Sequence, residues 1–130
     1  MEIGFQRTHE FEVSKEKYLN FLKLSEDHNP MHVNDEFAIK HGFKEKVVHG
    51  NILNAFLSFM IGETLPIKNV VIIDQSIKYK SPVYIGMTIR TTLVVTENID
   101  AVQVTQFKVL FEETLTQKKL ATGTISIQKK

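Results

Sequence analysis

The sequence predicts an α+β fold in which one long buried helix packs against an antiparallel β-sheet. Two observations support this prediction. Residues 50–65 are apolar on nearly every side of a helical wheel, which is typical of a helix buried in a core. From residue 70 onward the pattern changes to segments with the alternation of β-strands. Helices therefore precede strands along a chain of 130 residues, and we expect one domain over residues 1–130.

The composition is that of an ordinary globular protein and excludes several function classes. Sixteen basic and fifteen acidic residues are distributed along the chain and give a net charge of +1. Nucleic-acid and membrane-surface partners need a patch of one sign, so we expect neither. Without cysteine there is no disulfide, thiolate nucleophile or zinc–thiolate site. The longest apolar stretch, residues 52–61, is too short for membrane insertion, and no signal segment begins the chain, so we expect a cytoplasmic location.

The first 42 residues predict a strand, two helices and a proline-containing loop. In chain order they are a strand over 8–13, a helix over 15–25, a loop over 27–32 and a short helix over 35–41. Ser14 and Asn34 precede the two helices, and their side chains can accept from free amides of the first turn. Gly42 suits the left-handed position after the second helix.

The second half predicts four strands, over 70–79, 87–97, 102–111 and 120–128. In the third strand the apolar phase slips by one residue between Val104 and Phe107. The slip predicts a β-bulge near Thr105–Gln106. The Ser81–Gly86 segment interrupts the strands and predicts a turn.

The Asp27–His32 loop combines an acid, an amide and an imidazole within six residues: Asp27, Asn29 and His32. An imidazole changes charge near neutral pH, and a nearby carboxylate favours its protonated form. Such a pair can hold a water, take a proton from it and return a proton to a neighbouring carbon. Taken alone, Asp27 would more often be a turn residue and His32 a surface histidine.

The predicted central helix carries one polar stripe, which consists of Asn51, Asn54, Ser58 and Gly62. An unpaired buried amide or hydroxyl costs about 1–3 kcal/mol, so something polar must face the stripe. We predict that it faces the Asp27–His32 loop. Alternatively, the asparagines cap neighbouring backbone.

Val48-His49-Gly50 precedes this helix, where free backbone amides carry partial positive charge. The Gly50 amide can therefore stabilise a developing oxyanion, although a glycine here could simply allow close chain approach. His28 and His32 are four residues apart, but Pro30 between them makes a helical pair of metal ligands improbable. We expect no metal site.

Asp27-x-Asn29-Pro30-x-His32 closely resembles the hydratase motif of the MaoC-like (R)-specific enoyl-CoA hydratases, and the length and layout agree with a single-domain member. The resemblance implies a hotdog fold, in which a curved antiparallel sheet wraps a long central helix. It also implies that Asp27 and His32 are the catalytic pair and that Asn29 supports the loop. By the same resemblance the Gly50 amide receives the enolate oxygen, and Ser58 belongs to the site. Asn54, on the same polar stripe as Ser58, is a further candidate for substrate binding or support.

The resemblance implies (R)-specific hydration of trans-2-enoyl thioesters, and its reverse, without a metal or redox cofactor. Coenzyme A or an acyl carrier protein would carry the substrate. A lone curved sheet leaves an exposed edge, so we expect a homodimer. Which of Asp27 and His32 is base and which is acid stays open. Two alternatives are a hotdog acyl-CoA thioesterase and a non-catalytic subunit that binds acyl thioesters.

Overall fold

The computed structural model describes residues 1–130 and contains one antiparallel sheet of five strands. The strands are β1 (Gln6–Glu12), β2 (Val70–Tyr79), β3 (Thr88–Ile99), β4 (Val104–Glu113) and β5 (Lys119–Lys129). Their order across the sheet is β1-β3-β4-β5-β2, so β1 and β2 are the edge strands. With a helix packed on this sheet, the predicted α+β class and hotdog fold are confirmed.

Four α-helices precede the last four strands. They are α1 (Lys15–Ser25), α2 (Pro30–Val33), α3 (Asp35–Lys40) and α4 (Ile52–Phe59). The predicted caps of α1 and α3 are confirmed, since Ser14 accepts from the Lys17 amide at 3.2 Å and Asn34 from the Phe37 amide at 3.0 Å. None of the helices combines the length and apolar character needed to cross a bilayer.

Two helical predictions need correction. Residues 30–32, predicted as part of the loop, belong to the helical turn Pro30–Val33. Pro30 occupies a first-turn position, where its missing N–H is no loss. The central helix, predicted over 50–65, is α-helical only in α4 and continues as a π-helical turn, Met60–Thr64. In this turn the Thr64 hydroxyl donates to the Met60 carbonyl at 2.5 Å. A hydroxyl bonded there competes with the backbone for that carbonyl.

The predicted β-bulge lies on the neighbouring strand. The register shift between β3 and β4 leaves Thr96 of β3 without a partner, while β4 runs continuously through Thr105 and Gln106. Val104 and Phe107, between which the apolar phase slips, both lie in β4, and the pairing with β3 shifts between Gln106 and Phe107, opposite Thr96. The prediction of a bulge at Thr105–Gln106 is therefore wrong about the strand, because the pattern of one strand does not show which of two paired strands carries the extra residue.

One apolar cluster of 22 buried residues joins α4 to the sheet. Leu53 and Leu57 of α4 and Phe107 and Phe111 of β4 are fully buried in it. Burying such a side chain stabilises the fold by about 1.5–3 kcal/mol. This packing fixes α4 on the sheet and so fixes the position of the residues that precede it.

The segment that leads into α4 is anchored at Val48. Its amide donates to the Val83 carbonyl at 2.8 Å, and the two residues form an isolated antiparallel bridge. The turn that carries Val83 ends at Gly86, whose φ of 96° suits glycine. Val48 and the next residue, His49, are both buried. The backbone is thus held before Gly50 by Val48 and His49, and after it by the buried face of α4.

Gly123 lets β2 approach β5 closely. A Cβ at this position would collide with the Ser76 carbonyl oxygen and lie 3.1 Å from the Cα of Ile77. We expect Gly123→Ala to lower the free energy of unfolding by about 2 kcal/mol, because backbone atoms would have to move. Urea denaturation followed by circular dichroism measures this change.

Gly62→Ala is the matched control, since a Cβ at that exposed position meets nothing within 4 Å. We expect it to change the free energy of unfolding by about 1 kcal/mol at most. Equal stabilities of the two variants would contradict the close approach of β2 and β5.

Candidate active site

Local hydrogen bonds shape the loop between α1 and α2. Glu26 ends α1 in a left-handed conformation, with φ of 57°. Asp27 Oδ1 then accepts from the Asn29 amide at 3.1 Å, and Asn29 Oδ1 accepts from the Met31 amide at 3.0 Å. One carboxylate oxygen of Asp27 therefore stabilises the turn, and the other oxygen is free to make a different contact. Asn29 supports the loop by capping α2.

Asp27 and His32 face each other across this turn. The second carboxylate oxygen of Asp27, Oδ2, lies 3.7 Å from Nε2 of His32, which is too long for a direct hydrogen bond. The Asp27 side chain is 48% exposed and that of His32 is 23% exposed. Both atoms are therefore within reach of one solvent molecule that approaches from the open side.

The Val47 carbonyl sets the tautomer of His32. Nδ1 of His32 lies 2.7 Å from this carbonyl oxygen. A carbonyl only accepts, so Nδ1 carries the hydrogen, and in the neutral ring Nε2 is a bare acceptor. The two atoms across the 3.7 Å gap are then both acceptors. A water between them can donate one hydrogen to each, which leaves its oxygen lone pairs free to attack.

Tyr18 of α1 supports the His32 backbone. Its hydroxyl donates to the His32 carbonyl at 2.5 Å. Burial, with a smaller effect from the Asp35 carboxylate, raises the pKa of Tyr18 above its ordinary value and keeps the hydroxyl a donor. The sequence placed Tyr18 only within the predicted helix over residues 15–25. Its hydrogen bond to His32 was not predicted, because the position of a residue in one helix does not show which residues of another element it contacts.

A cleft of about 520 Å³ opens beside His32 and Gly50. Tyr79, Lys80 and Val83 also line it. The Gly50 amide donates to no protein acceptor, so it is free to bind an oxyanion in this cleft. Gly50 also permits close packing, since a Cβ there would lie 2.9 Å from the Tyr79 ring. Gly50 can therefore both donate to an oxyanion and allow the close approach of Tyr79.

The polar stripe of the central helix faces strand β2. Asn54 Nδ2 donates to Asn51 Oδ1 at 2.8 Å and to the Tyr79 hydroxyl at 3.2 Å, and Gln75 donates to Asn54 Oδ1. The prediction that this stripe faces the Asp27–His32 loop is thus wrong for the asparagines. The sequence does not specify how a helix is rotated on a sheet, and β2 supplied the polar partners instead.

Ser58 lies further along α4, with its side chain exposed and without a hydrogen bond to another protein group. The structure thus brings Asp27 and His32 together and places Gly50 on the same cleft as His32. It does not bring Ser58 or Asn54 into contact with the pair. Their assignment to the site stays a prediction.

His49 is a further buried side chain at this site, with 3% of its surface exposed. Its Nε2 donates to the Asp27 backbone carbonyl at 2.8 Å. Its ring stacks on that of His32, with centroids 4.1 Å apart and an angle of 28° between the planes. The sequence pointed to His49 only as the neighbour of Gly50.

Asp27, His32 and His49 also offer one potential metal-ligand atom each, and these atoms lie within 4.8 Å of one another. Because the His32 and His49 rings are stacked, the lone pairs on their nitrogens lie in nearly parallel planes. This arrangement does not favour tetrahedral coordination of one shared metal ion. His49 Nε2 is in addition engaged by the Asp27 carbonyl. The expectation that no metal binds here stays a prediction.

Comparison with known proteins gives one family. The model of the MaoC-like domain matches residues 2–117. The chain is 38% identical over 84 residues to an (R)-specific enoyl-CoA hydratase of Rhodospirillum rubrum, covering 65% of this chain and 58% of the relative. It is 37% identical over 76 residues to an (R)-specific enoyl-CoA hydratase of Aeromonas caviae, covering 58% of this chain and 57% of that relative. Each match thus spans less than two thirds of the relative's length.

The fold is also similar to a solved structure, described as the (R)-hydratase from A. caviae involved in PHA biosynthesis. The TM-score is 0.91 with 25% sequence identity, and the match covers 100% of this chain and 98% of that one. The similarity therefore extends over the whole arrangement of helices and strands.

The raised pKa of Tyr18 makes a pH-dependent contribution to stability. A tyrosine whose pKa is higher in the folded than in the unfolded state keeps its proton longer when folded. Its contribution is present below the unfolded value of about 10 and is lost as the pH rises toward the folded value. We therefore expect the free energy of unfolding to fall more steeply above pH ~10 in the parent than in Tyr18→Phe.

Urea denaturation at several pH values from neutral to alkaline measures this difference. Parallel pH dependences for the parent and Tyr18→Phe would contradict the assignment. Tyr84→Phe serves as the control for removal of a phenol elsewhere in the chain.

Proposed function

This chain belongs to the MaoC-like domain family, and we propose that it adds water to trans-2-enoyl thioesters to give (R)-3-hydroxyacyl thioesters, and that it catalyses the reverse dehydration. The observation that carries the proposal is the pair of acceptors, Asp27 Oδ2 and His32 Nε2, held 3.7 Å apart. This pair lies beside a cleft that Gly50 also lines. Water activation and an oxyanion donor are the two functions that this hydration requires.

In the proposed reaction one water donates its hydrogens to Asp27 and His32. As the water oxygen attacks C3 of the enoyl thioester, a C–O bond forms and one O–H bond breaks, and the pair takes the proton. The carboxylate next to the imidazole stabilises the positive charge that develops when His32 is the acceptor. The pair then delivers a proton to C2, so that one water has been added across the double bond.

Attack at C3 moves negative charge onto the thioester oxygen. The Gly50 amide, which has no acceptor within the protein, is proposed to donate to this oxygen in the enolate. Loss of one such donor typically costs roughly 3–4 kcal/mol of transition-state stabilisation. Tyr79 packs against Gly50 and would border the thioester. Ser58 is retained as a proposed site residue because of the resemblance, and Asn54 because it lies on the same helical stripe.

The thioester itself accepts the π electrons that attack at C3 displaces from the double bond, so the proposed reaction uses no metal or redox cofactor. The substrate is proposed to arrive on coenzyme A or an acyl carrier protein. A thioesterase would use the same water but attack the carbonyl carbon and release a thiol. The fixed acceptor pair favours hydration, because addition to a double bond needs a proton returned to carbon as well as one removed.

Asp27→Asn and His32→Ala test the proposal directly. Each variant removes one of the two acceptors, and we expect each to lower kcat for hydration of crotonyl-CoA by about 100-fold or more. The decrease in the enoyl-thioester ultraviolet absorbance measures hydration, and chiral chromatography identifies the (R)-alcohol. A thiol reagent in parallel assays detects thioester cleavage.

His41→Ala is the control for removal of a histidine, since His41 is exposed and contacts only its own helix through the Phe37 carbonyl. We expect it to retain the parent rate. Thiol release without loss of the double bond would favour the thioesterase, and acyl-CoA binding without turnover would favour the non-catalytic subunit.

We also propose a homodimer that forms through the β2 edge. Val71, Ile72 and Ile73 of this strand are 40–50% exposed, and β2 has no neighbour on its outer side. An apolar edge strand of this length is a template for pairing with a second copy. The same strand carries Tyr79, so pairing at β2 would place the partner near the cleft.

Sedimentation equilibrium tests the dimer at micromolar protein concentration. We expect the parent to have twice the chain mass of 14.9 kDa. Ile73→Lys should shift the equilibrium toward the monomer, because it places a charge on the apolar edge. Leu115→Lys, at an exposed residue of the β4–β5 connection, is the control. A monomeric parent would contradict the proposed dimer.

A further inference from the structure

The Asp27–Asn29 loop depends on one contact with a distant part of the chain. Its other hydrogen bonds are local, such as Asp27 to Ser25 and Asn29 to Asp27. Only the bond from His49 Nε2 to the Asp27 carbonyl, at 2.8 Å, reaches another element, 22 residues away. The loop is exposed, and this hydrogen bond is the only one that attaches it to the core.

The same His49 ring also restrains His32. It lies against one face of the His32 ring at a centroid distance of 4.1 Å. The Val47 carbonyl holds the edge of His32 through Nδ1, and the stack restricts rotation about that hydrogen bond. The Phe21 ring also packs against His49, with centroids 5.2 Å apart.

The hydrogen bond to Asp27 also sets the tautomer of His49. A carbonyl only accepts, so Nε2 carries the hydrogen, and Nδ1 is left without a partner in the core. An unpartnered buried ring nitrogen costs free energy that a phenylalanine would not. His49 does not line the cleft, so the side chain is not placed to contact substrate.

We infer that His49 is a positioning residue that sets the distance and orientation between Asp27 and His32. One rigid ring touches both members of the pair, one through a hydrogen bond and the other through its face. It thereby couples the exposed Asp27 loop to the anchored backbone at Val48. This inference rests on the proposed function, because the positioned groups are the proposed catalytic pair.

Two substitutions separate the two contacts. His49→Phe keeps a flat ring but loses the donor, and His49→Gln keeps an N–H donor but loses the ring. Misplacement of catalytic groups by a fraction of an ångström lowers turnover steeply. We expect His49→Phe to lower kcat for crotonyl-CoA roughly 10- to 100-fold, with KM changed less than about threefold. His49→Gln should recover part of that loss, and the pH profile of kcat should shift in His49→Phe.

Ile127→Val is the control for a purely structural role. Ile127 is buried in the core and does not line the cleft beside His32 and Gly50, so the variant should lower stability while leaving kcat and the pH profile of the folded enzyme unchanged. A folded His49→Phe or His49→Gln variant with the parent kcat and pH profile would overturn the inference.

Nitrogen-15 NMR of the histidine rings keeps this test independent of the proposed reaction. In the parent we expect His32 to carry its hydrogen on Nδ1, and in His49→Phe its ring signals should broaden or shift. Unchanged His32 signals would count against positioning whether or not the protein hydrates crotonyl-CoA. A parent without hydratase activity would instead count against the proposed function alone.

Discussion

The hydrogen bond from His32 Nδ1 to the Val47 carbonyl is the interaction on which the chemistry of this site depends. Since the carbonyl can only accept, it turns the opposite ring nitrogen into an acceptor directed at Asp27. If Nε2 of His32 carried the hydrogen instead, it would donate to the Asp27 carboxylate. The pair would then offer only one acceptor to a water molecule. The choice of tautomer is thus made by a backbone carbonyl and not by a side chain of the pair.

The Val47–Gly50 segment provides two such contacts and one free amide within four residues. Val47 holds His32, His49 holds the Asp27 backbone, and Gly50 contributes a free amide to the cleft. The bridge between Val48 and Val83 and the buried face of α4 fix this segment from either side. Asp27 lies on an exposed loop and His32 on the short helix α2, but the groups that orient them belong to the anchored Val47–Gly50 segment. Such a division is expected where a surface element must hold a precise geometry.

Sequence reasoning reached most of the fold and part of the site, for identifiable physical reasons. The bounds of α1 and β2 were predicted to the residue, because Ser14 caps one and a turn follows the other. The Asp27–His32 segment was found because polar groups were concentrated in a short loop. The predictions that failed depended on how the elements pack against one another. They concerned the strand that carries the bulge and the direction in which Asn54 points. The roles of Tyr18 and Tyr79 were missed for the same reason, since each contacts residues far away in the chain.

The central claim is that one pair, Asp27 and His32, both removes a proton from water and returns a proton to C2 from one face of the substrate. The measurement that tests it most directly is hydration of crotonyl-CoA in D₂O, with the product's relative configuration at C2 and C3 read from proton NMR coupling. A single pair predicts a single diastereomer of the (R)-alcohol, with deuterium and oxygen added to the same face. Anti addition, or a mixture of diastereomers at early times, would require a second proton donor on the opposite face and would contradict the account.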